Sequence, residues 1–582
     1  MSNTAGAAGS TQISYLVTFP EAQAHYVDIE MNIKGLSQKT TEIKMPVWTP
    51  GSYLIREFSR NVEGFTAEAK GDALASHKIS KNTWTISTAG VTDLKVKYRV
   101  YAFEISVRTS FIDASHGFLS SADIFMFPKG MLDLPSTIKI IPYKGWTKIS
   151  TGLNPVGSDP FVLKAPNYDI LYDSPIELGN QDIFEFNVDG VKYEVAMYGG
   201  GSYDKERIKT DYSKFIKVQT TLFGENPNKR FTFIVHNQLK GGGGLEHLTS
   251  TVLGGSRDGY STEKGYQGWL ETSAHEHFHL WNVKRLRPIA LGPFDYETEN
   301  YTTNLWIAEG FTAYYETKSI RHAGIFPPET FLTSLVGDIN TNDNQPGGKV
   351  QSAAESSFDA WIKYYRPNEN SSNSTISYYG KGSTIAYLLD LEIINDSNAK
   401  YSLDDVMHYM YNEYYKIRKR GYTNAEFKQG LEKFAGKKLD DFYRDYVNGV
   451  KTINHRQYLG YAGYILSDEL AGTNTPSLGI GTAIKNNKIT VTVVGRDGSA
   501  WMDGINVNDE LVAVDGVPVT DVTTILNGKQ PGDKINVTVN RDGLELVLPV
   551  TLLKNTKSRY KIAPVADASE KQLAVRKKWL NL

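Results

Sequence analysis

The chain has 582 residues, and its 63 Lys and Arg nearly balance its 65 Asp and Glu, which gives a net charge of −2. At roughly 150 residues per domain this length predicts three or four domains. The near-zero charge excludes the strong positive field by which proteins bind nucleic acid or an anionic membrane surface. The absence of cysteine excludes disulfides, thiol catalysis and iron–sulfur clusters. No segment approaches the roughly 18 apolar residues that a membrane span requires.

The first predicted domain, residues 11–195, is all-β. Apolar residues alternate with polar ones or form short runs in segments such as 13–19, 94–100 and 191–197, a pattern typical of strands. We interpret this region as a support layer without chemistry of its own. Residues 1–10 lack the basic start and apolar core of a signal peptide. The chain is therefore expected to be either cytoplasmic or exported to the periplasm or cell envelope with its signal removed, and export is slightly favoured.

The second predicted domain, residues 196–455, is mostly helical after a buried strand at 231–235. Apolar residues recur at three- and four-residue spacing in 268–283, 304–320, 382–395, 403–417 and 424–434, the period of a helix with one buried face. Two segments rich in Asn, Ser and Gly, 339–352 and 366–377, are predicted as long loops, which often carry function.

The third predicted domain, residues 465–553, returns to short strands. Segments 487–494 and 534–539 alternate polar and apolar residues, and Gly, Asn and Asp mark the turns between them. Residues 554–582 are expected to form a charged, helical tail. The predicted fold class is therefore a multidomain α+β protein.

The second domain contains an H-E-x-x-H motif at His275, Glu276 and His279. Residues i and i+4 share one face of a helix, so the two imidazoles can bind the same metal ion. Glu276 then lies beside the metal, where it can take a proton from water. Nitrogen and oxygen ligands with one open position suit a catalytic Zn²⁺, one per chain. Three basic residues after the motif are expected at an exposed helix end: Lys284, Arg285 and Arg287.

A third ligand is required, and Glu309 is the first candidate. It lies among apolar residues near the start of the predicted helix 304–320, where a carboxylate is costly unless it is paired or bound to metal. Glu297 and Glu299 are alternatives in a polar run that is typical of a loop. Glu316 lies two turns beyond Glu309 on the same face. It can accept a hydrogen bond from a ligand histidine and so fix the histidine tautomer.

Two further elements can complete an active site. Gly243 and Gly244 precede Glu246, and their bare backbone allows a substrate to approach closely. A carboxylate at Glu246 can pair with the α-ammonium of a peptide. Tyr378 and Tyr379 open a later helix, and a tyrosine hydroxyl there can donate to the oxyanion that forms when a carbonyl is attacked.

Together these motifs resemble the gluzincin aminopeptidases related to aminopeptidase N, and more closely the M61 peptidases, or glycyl aminopeptidases. The segments that carry the resemblance are 45–56, 107–110, 243–247, 275–285 and 306–311. With the C-terminal domain, the resemblance covers nearly the whole chain. It implies a thermolysin-like catalytic domain behind an N-terminal β domain. It also implies a C-terminal PDZ domain, which residues 465–553 resemble through the segments 477–481 and 508–516.

The resemblance assigns roles to individual residues. It implies three zinc ligands: His275, His279 and Glu309. Glu276 would act first as general base and then as general acid, and Glu246 would hold the substrate N-terminus. Tyr379 would be the oxyanion donor, with Tyr378 as the alternative.

The expected function is a zinc aminopeptidase that removes small N-terminal residues, Gly or Ala, from peptides with a free N-terminus. Leu245 and His247 stand where related aminopeptidases carry Met and Asn, so the side-chain preference is left open. A PDZ domain implies a C-terminal peptide as a second partner. The alternatives are a PDZ-tethered zinc endopeptidase and a PDZ scaffold with little activity. Glu276 argues against the scaffold, because a structural metal site needs no base.

Overall fold

A computed structural model describes residues 11–582. Residues 1–10, on which the expectation about an export signal depends, lie outside the described part. The chain forms two compact units. The first comprises Met1–Tyr301, described from residue 11, with Tyr315–Ile325 and Met407–Asn424; the second comprises Thr302–Tyr314, Phe326–Val406 and Ala425–Leu582. None of the helices within residues 11–582 combines the length and apolar character that crossing a bilayer requires.

The N-terminal part of the first unit is all-β, as predicted. Its strands are β1 (Gln12–Thr18), β2 (Tyr26–Lys34), β3 (Thr40–Lys44), β4 (Val62–Ala69), β5 (Asp72–Ala73), β6 (Ser76–Ser80), β7 (Thr83–Ser87), β8 (Asp93–Tyr101), β9 (Phe111–Ile112), β10 (Gly117–Leu119), β11 (Phe127–Pro128), β12 (Ser136–Ile141), β13 (Lys148–Thr151), β14 (Asn154–Val156), β15 (Asp159–Ala165) and β16 (Ile176–Gly179). Two short helices join them, α1 (Ser121–Ile124) and α2 (Tyr168–Tyr172).

Three sheets build this β region. The largest has the strand order β14-β15-β12-β1-β2-β8-β4-β5, and the two smaller ones have the orders β13-β16-β10-β9 and β11-β3-β7-β6. Strand β2 shows why the sequence folds this way: its residues alternate between buried and partly exposed positions along nearly its whole length. The apolar side chains face the core, and the polar ones such as Glu30 face outward.

A fourth sheet of the first unit has five strands. Its strands are β17 (Asp182–Val188), β18 (Val191–Tyr198), β19 (Arg230–Gln238), β20 (Gly244–Glu246) and β21 (Ser250–Ser256), in the order β17-β18-β19-β21-β20. Strand β19 is buried on both faces, in agreement with the continuous apolar run at 231–235. Strand β20 is one of the two edge strands and pairs antiparallel with β21. Helices α3 (Lys205–Phe223) and α4 (Glu263–Phe278) accompany the sheet.

Residues 302–461 are mostly helical. The helices are α5 (Leu305–Ala308), α6 (Gly310–His322), α7 (Pro328–Asp343), α8 (Ala353–Phe358), α9 (Ser371–Ser374), α10 (Tyr378–Asp396), α11 (Leu403–Met410), α12 (Asn424–Ala435), α13 (Asp440–Phe442) and α14 (His455–Tyr461). The predicted loops were partly wrong. Segment 339–352 contains the last turn of α7, and segment 366–377 contains α9, because helix packing outweighed the weak helix propensity of Asn, Ser and Gly.

The C-terminal part returns to strands. They are β22 (Tyr464–Asp468), β23 (Pro476–Ser477), β24 (Ile480–Lys485), β25 (Lys488–Val494), β26 (Glu510–Val514), β27 (Val517–Pro518), β28 (Lys534–Arg541), β29 (Leu544–Thr551), β30 (Leu553–Lys554) and β31 (Tyr560–Pro564), with helices α15 (Ser499–Asp503) and α16 (Glu570–Leu580). The sheet built on β24-β25-β26-β28-β29 has its own hydrophobic core. With the β region and the helical region, these strands confirm the predicted α+β fold class.

The C-terminal segment is integrated into the second unit rather than extending from it. Strand β31 pairs with β22, so the chain returns to the point from which it entered the C-terminal β region. In α16, Trp579 is fully buried, and its Nε1 donates a hydrogen bond of 2.9 Å to the Tyr314 hydroxyl of α6. That hydroxyl donates in turn to Asp390 Oδ2 of α10 at 2.6 Å. A buried hydrogen-bond chain therefore ties the last helix to two helices of the helical region.

Trp579→Ala is expected to destabilise the protein by about 3–5 kcal/mol, because it leaves a cavity and deprives a buried tyrosine of a donor. Urea unfolding followed by circular dichroism measures the shift of the midpoint. Trp501→Ala is the matched control, because Trp501 is 41% exposed, and we expect it to change stability by less than about 0.5 kcal/mol. Equal midpoints for the two variants would contradict the integration of α16.

Candidate metal centre and active site

Helix α4 turns one face toward the site and the other toward the core. Thr262 caps its N-terminus, since the Thr262 hydroxyl accepts a hydrogen bond from the backbone N–H of Gly265, and the helix ends at Phe278. His277 is fully buried on the core face, where its Nδ1 lies 2.7 Å from Gln219 Oε1. Burial lowers the pKa of His277 to about 3, so this histidine is neutral. His275 and His279, four residues apart, lie on the opposite face.

Hydrogen bonds fix the orientation of both motif histidines. His275 Nδ1 lies 2.6 Å from Glu316 Oε2, a residue of α6, and His279 Nδ1 lies 2.7 Å from the carbonyl oxygen of Asn282. Both partners accept, so each Nδ1 carries the proton and each Nε2 presents its lone pair. Glu316 therefore occupies the position in which it can set the tautomer of His275.

Two groups of three side chains among the described residues are suited to holding a metal ion. One consists of Glu246, Glu276 and His279, whose ligand atoms all lie within 4.8 Å of one another, and the other of His275, His279 and Glu309. Each residue in both groups is buried. Imidazole nitrogens and carboxylate oxygens without thiolates are the donors of a catalytic zinc site. The donor chemistry and the two histidine tautomers therefore fit a Zn²⁺ ion.

The two rival ligands lie elsewhere in the structure. Glu297 forms an ion pair of 2.6 Å with Lys44 Nζ, so its carboxylate is already matched by a cation. Within residues 11–582, neither Glu297 nor Glu299 belongs to a group of side chains that could hold a metal.

The glycines before Glu246 make close contact with the motif glutamate. A Cβ atom added at Gly244 would lie 2.2 Å from Glu276 Oε1, which is far inside van der Waals contact. Only glycine therefore lets strand β20 lie directly against Glu276. Gly243 differs: its φ is +81°, and a Cβ atom there would meet nothing within 4 Å. Gly243 thus allows the turn into β20, while Gly244 allows the close approach.

Glu246 is enclosed on another side by the β region. A Cβ atom added at Gly51 would lie 2.6 Å from Glu246 Oε2, so the main chain at Gly51 covers the carboxylate. Glu246 is only 4% exposed, and its Oε1 has no hydrogen-bond partner within the described part of the chain. A buried carboxylate oxygen without a donor is costly, and it is suited to receive a donor from a ligand.

The basic residues after the motif are not at an exposed helix end, so that expectation was wrong. Helix α4 ends at Phe278, and the chain then turns inward. The Lys284 side chain is only 9% exposed and lies 2.7 Å from Asp173 Oδ1. Arg285 donates to the Leu280 carbonyl and to Asn228 Oδ1, and Arg287 lies over the Phe294 ring.

Sequence reasoning missed Asp173 entirely. It follows α2 in the β region and lies 111 residues before Lys284 in the chain. It is not part of any motif, and no local pattern marks it. Only the fold brings this carboxylate to the end of the H-E-x-x-H segment.

In the second unit, a close helix crossing brings Glu309 and Tyr379 into one neighbourhood. A Cβ atom added at Gly310 would lie 2.4 Å from Gly382 Cα, so α6 and α10 cross with their backbones in contact. Glu309 is 1% exposed. Burial, and after it the charge of Glu309, holds the pKa of Tyr379 well above its usual range, so this phenol stays protonated. The Tyr378 ring is fully buried, whereas Tyr379 is partly accessible.

Comparisons with known proteins agree with this architecture. Family models match for the peptidase M61 N-terminal domain at residues 14–180, for M61 glycyl aminopeptidase at 268–385 and for a PDZ domain at 476–552. Each range lies inside the corresponding predicted domain, whose boundaries remain predictions.

Solved structures and curated proteins include similar chains. The crystal structure of an aminopeptidase N family protein from Idiomarina loihiensis is 30% identical with a TM-score of 0.91, and the match covers 98% of this chain and 100% of that one. An M1 zinc metallopeptidase from Deinococcus radiodurans is 11% identical with a TM-score of 0.48, over 76% of this chain and 94% of that one. The serine protease Do-like HtrA of Lactobacillus helveticus is 42% identical over 72 residues, which are 12% of this chain and 17% of that protein.

The fold and the site define a zinc metallo-aminopeptidase, in which a motif helix and buried carboxylates surround the metal position and a PDZ domain follows the catalytic region. The chain belongs to the M61 glycyl aminopeptidase family. The resemblance that the motifs indicated is therefore confirmed.

Gly244→Ala is expected to lower kcat about 100-fold, because the added methyl group displaces Glu276 and a positioned general base contributes at least that factor. Zinc content, measured by atomic absorption, is expected to stay near one ion per chain. Gly242→Ala is the matched control, because a Cβ atom at Gly242 would meet nothing within 4 Å. A kcat near the wild-type value in Gly244→Ala would contradict the close approach.

Proposed function

We propose that the protein removes a single small residue, glycine or alanine, from the free N-terminus of peptides. The observation that carries this proposal is the position of Glu246. Its buried carboxylate lies in one cluster with Glu276 and His279, and it has an oxygen without a hydrogen-bond donor. A negative group this close to the motif glutamate fits a substrate ammonium, which an endopeptidase substrate does not offer.

In this proposal His275, His279 and Glu309 hold one Zn²⁺ ion. Zinc bound there supplies Lewis acidity, which polarises a carbonyl and lowers the pKa of water. Glu316 and the Asn282 carbonyl hold the two histidines in the tautomer that presents Nε2.

The remaining steps belong to the protein's own side chains. Glu276 takes a proton from the attacking water and then delivers it to the leaving amine. Tyr379 donates its hydroxyl proton in a hydrogen bond to the oxyanion. Its raised pKa supports this role, because the hydroxyl keeps its proton at neutral pH. Glu246 pairs with the α-ammonium and so limits cleavage to the first peptide bond.

The preference for small residues is supported by the walls around Glu246. The main chain at Gly51 covers one side of the carboxylate, and the main chain at Gly244 lies against Glu276. A substrate residue whose amine reaches Glu246 must fit between these surfaces. Glycine and alanine need the least space there.

A second partner is proposed for the PDZ domain. Strand β24 is an edge strand, and its second half, Ala483–Lys485, is exposed. An exposed edge can accept a C-terminal peptide as an additional antiparallel strand. This partner is proposed in addition to the substrate of the metal centre.

The proposed function is tested by hydrolysis of glycyl- and alanyl-p-nitroanilide beside their N-acetylated counterparts. Cleavage of the free-amine substrates alone, lost with a chelator and regained with zinc, is the expected result. Cleavage of N-acetylated peptides would instead support an endopeptidase. No cleavage by the zinc-loaded protein would support the PDZ scaffold.

Glu246→Ala is expected to lower kcat/KM for glycyl-p-nitroanilide about 100-fold, because a buried ion pair with the substrate amine is lost. Zinc content is expected to be unchanged. Glu263→Gln is the control, since the Glu263 side chain is 74% exposed. Equal losses of activity and zinc in Glu246→Ala would show that Glu246 is a metal ligand instead.

A further inference from the structure

Lys284 interacts with two carboxylates, one by direct contact and one through its charge. Its Nζ contacts Asp173 Oδ1 at 2.7 Å, and the charge of Glu246 also acts on it. Burial lowers the pKa of Lys284, but the attraction of Asp173 and then of Glu246 outweighs burial, so the net shift is upward. Lys284 is therefore charged, and both carboxylates attract it.

Asp173 is the anion that Lys284 contacts, and it is held in place by two further donors. The backbone N–H of Leu248 donates to its Oδ2 at 2.7 Å, and His247 Nδ1 lies 3.2 Å from its Oδ1. Burial by itself would raise the pKa of Asp173. The Lys284 charge and the His247 hydrogen bond together outweigh burial and lower this pKa to about 2. Asp173 is thus ionised throughout the neutral range.

This network holds two carboxylates, Asp173 and Glu246, but one lysine, Lys284, which contacts Asp173. His247 donates from Nδ1, and its Nε2 has no hydrogen-bond partner within the described residues. The ion pair of Lys284 with Asp173 leaves Glu246 with an oxygen that no donor occupies.

We propose that Asp173 is a positioning residue that holds Lys284 away from Glu246 and so keeps the Glu246 carboxylate available to the substrate α-ammonium. The proposal rests on the role of Glu246 given above and extends it to the neighbouring charges. Without Asp173, Lys284 would pair with Glu246 and occupy the place of the substrate amine. Lys284 itself offsets the desolvation of Asp173, the carboxylate that it contacts.

The proposal gives the β region a part in substrate recognition. Asp173 directly follows α2, and the sequence-based interpretation treated the whole β region as a support layer. The turn at Gly51 covers Glu246 from the same region. Recognition of the substrate amine therefore depends on both the β region and the motif segment.

The test compares three variants on glycyl-p-nitroanilide: Asp173→Asn, Lys284→Met and the double variant. Asp173→Asn is expected to raise KM about tenfold or more, with a smaller change in kcat, because Lys284 then pairs with Glu246. Lys284→Met is expected to leave KM within about threefold, because no cation competes with the substrate. The double variant is expected to return KM to within about threefold of the wild-type value. Zinc content is expected to be unchanged in all three.

A matched control is provided by the ion pair of Lys205 and Asp182, also 2.7 Å long but with both side chains more than 40% exposed. Asp182→Asn and Lys205→Met are expected to leave KM unchanged. Thermal unfolding of every variant reports on folding. The double variant leaves no unpaired charge in the buried pair, so it tests the proposal even if Asp173→Asn does not fold.

Three results would overturn the proposal. One is an unchanged KM in folded Asp173→Asn. Another is a KM that rises as much in Lys284→Met as in Asp173→Asn, which would mark a purely structural network. The third is a double variant whose KM is raised about tenfold. Glu246→Ala in the same assay separates the two ideas: if that variant keeps its activity on free amines, the role of Glu246 itself is wrong.

Discussion

The burial of several carboxylates close together is the constraint on which the site depends. Glu246 and Glu276 are each at most 5% exposed, and Asp173 lies beside them with its side chain 13% exposed. Desolvated anions at short range repel one another and favour protonation unless cations or donors surround them. The chain supplies a lysine, histidine N–H groups and a backbone N–H, and a zinc ion held by His275, His279 and Glu309 would supply further positive charge. In the proposed function, the Glu246 carboxylate is left for the substrate ammonium.

The close approach of the main chain at glycines is the second condition on which the site depends. Strand β20 lies against Glu276 because Gly244 has no side chain, and α6 crosses α10 because Gly310 and Gly382 have none. In both places a functional carboxylate sits next to the glycine: Glu276 faces Gly244, and Glu309 precedes Gly310. Small residues at these crossings set distances that packing of larger side chains would not reach.

Local patterns predicted the parts of the site that lie within one segment. The H-E-x-x-H spacing gives the helix face that carries both imidazoles, and the glycine run marks the strand that ends at Glu246. The helical period predicted α10 and α12 within a few residues.

The end of α4 was placed too late, because the residues after Phe278 are also apolar and form a buried turn. Lys284 was therefore assigned to an exposed surface. Asp173 could not be predicted, since it meets Lys284 only through the fold. The charged composition of 554–582 did not indicate that Trp579 is buried, and this burial ties α16 to the helical region.

In the proposed function, the Glu246 carboxylate decides which peptides the site accepts. A peptide N-terminus brings an ammonium that can pair with this carboxylate, whereas an internal peptide segment brings only a neutral amide. Placing that amide against the buried Glu246 carboxylate leaves the carboxylate without a cationic partner, which costs several kcal/mol. The unpaired carboxylate would then disfavour internal peptide segments and favour a free N-terminus. Selectivity of this kind requires that no cation of the protein itself neutralises Glu246. The charge of Glu246 attracts Lys284, and in the proposed arrangement the 2.7 Å contact of Lys284 with Asp173 holds the lysine away.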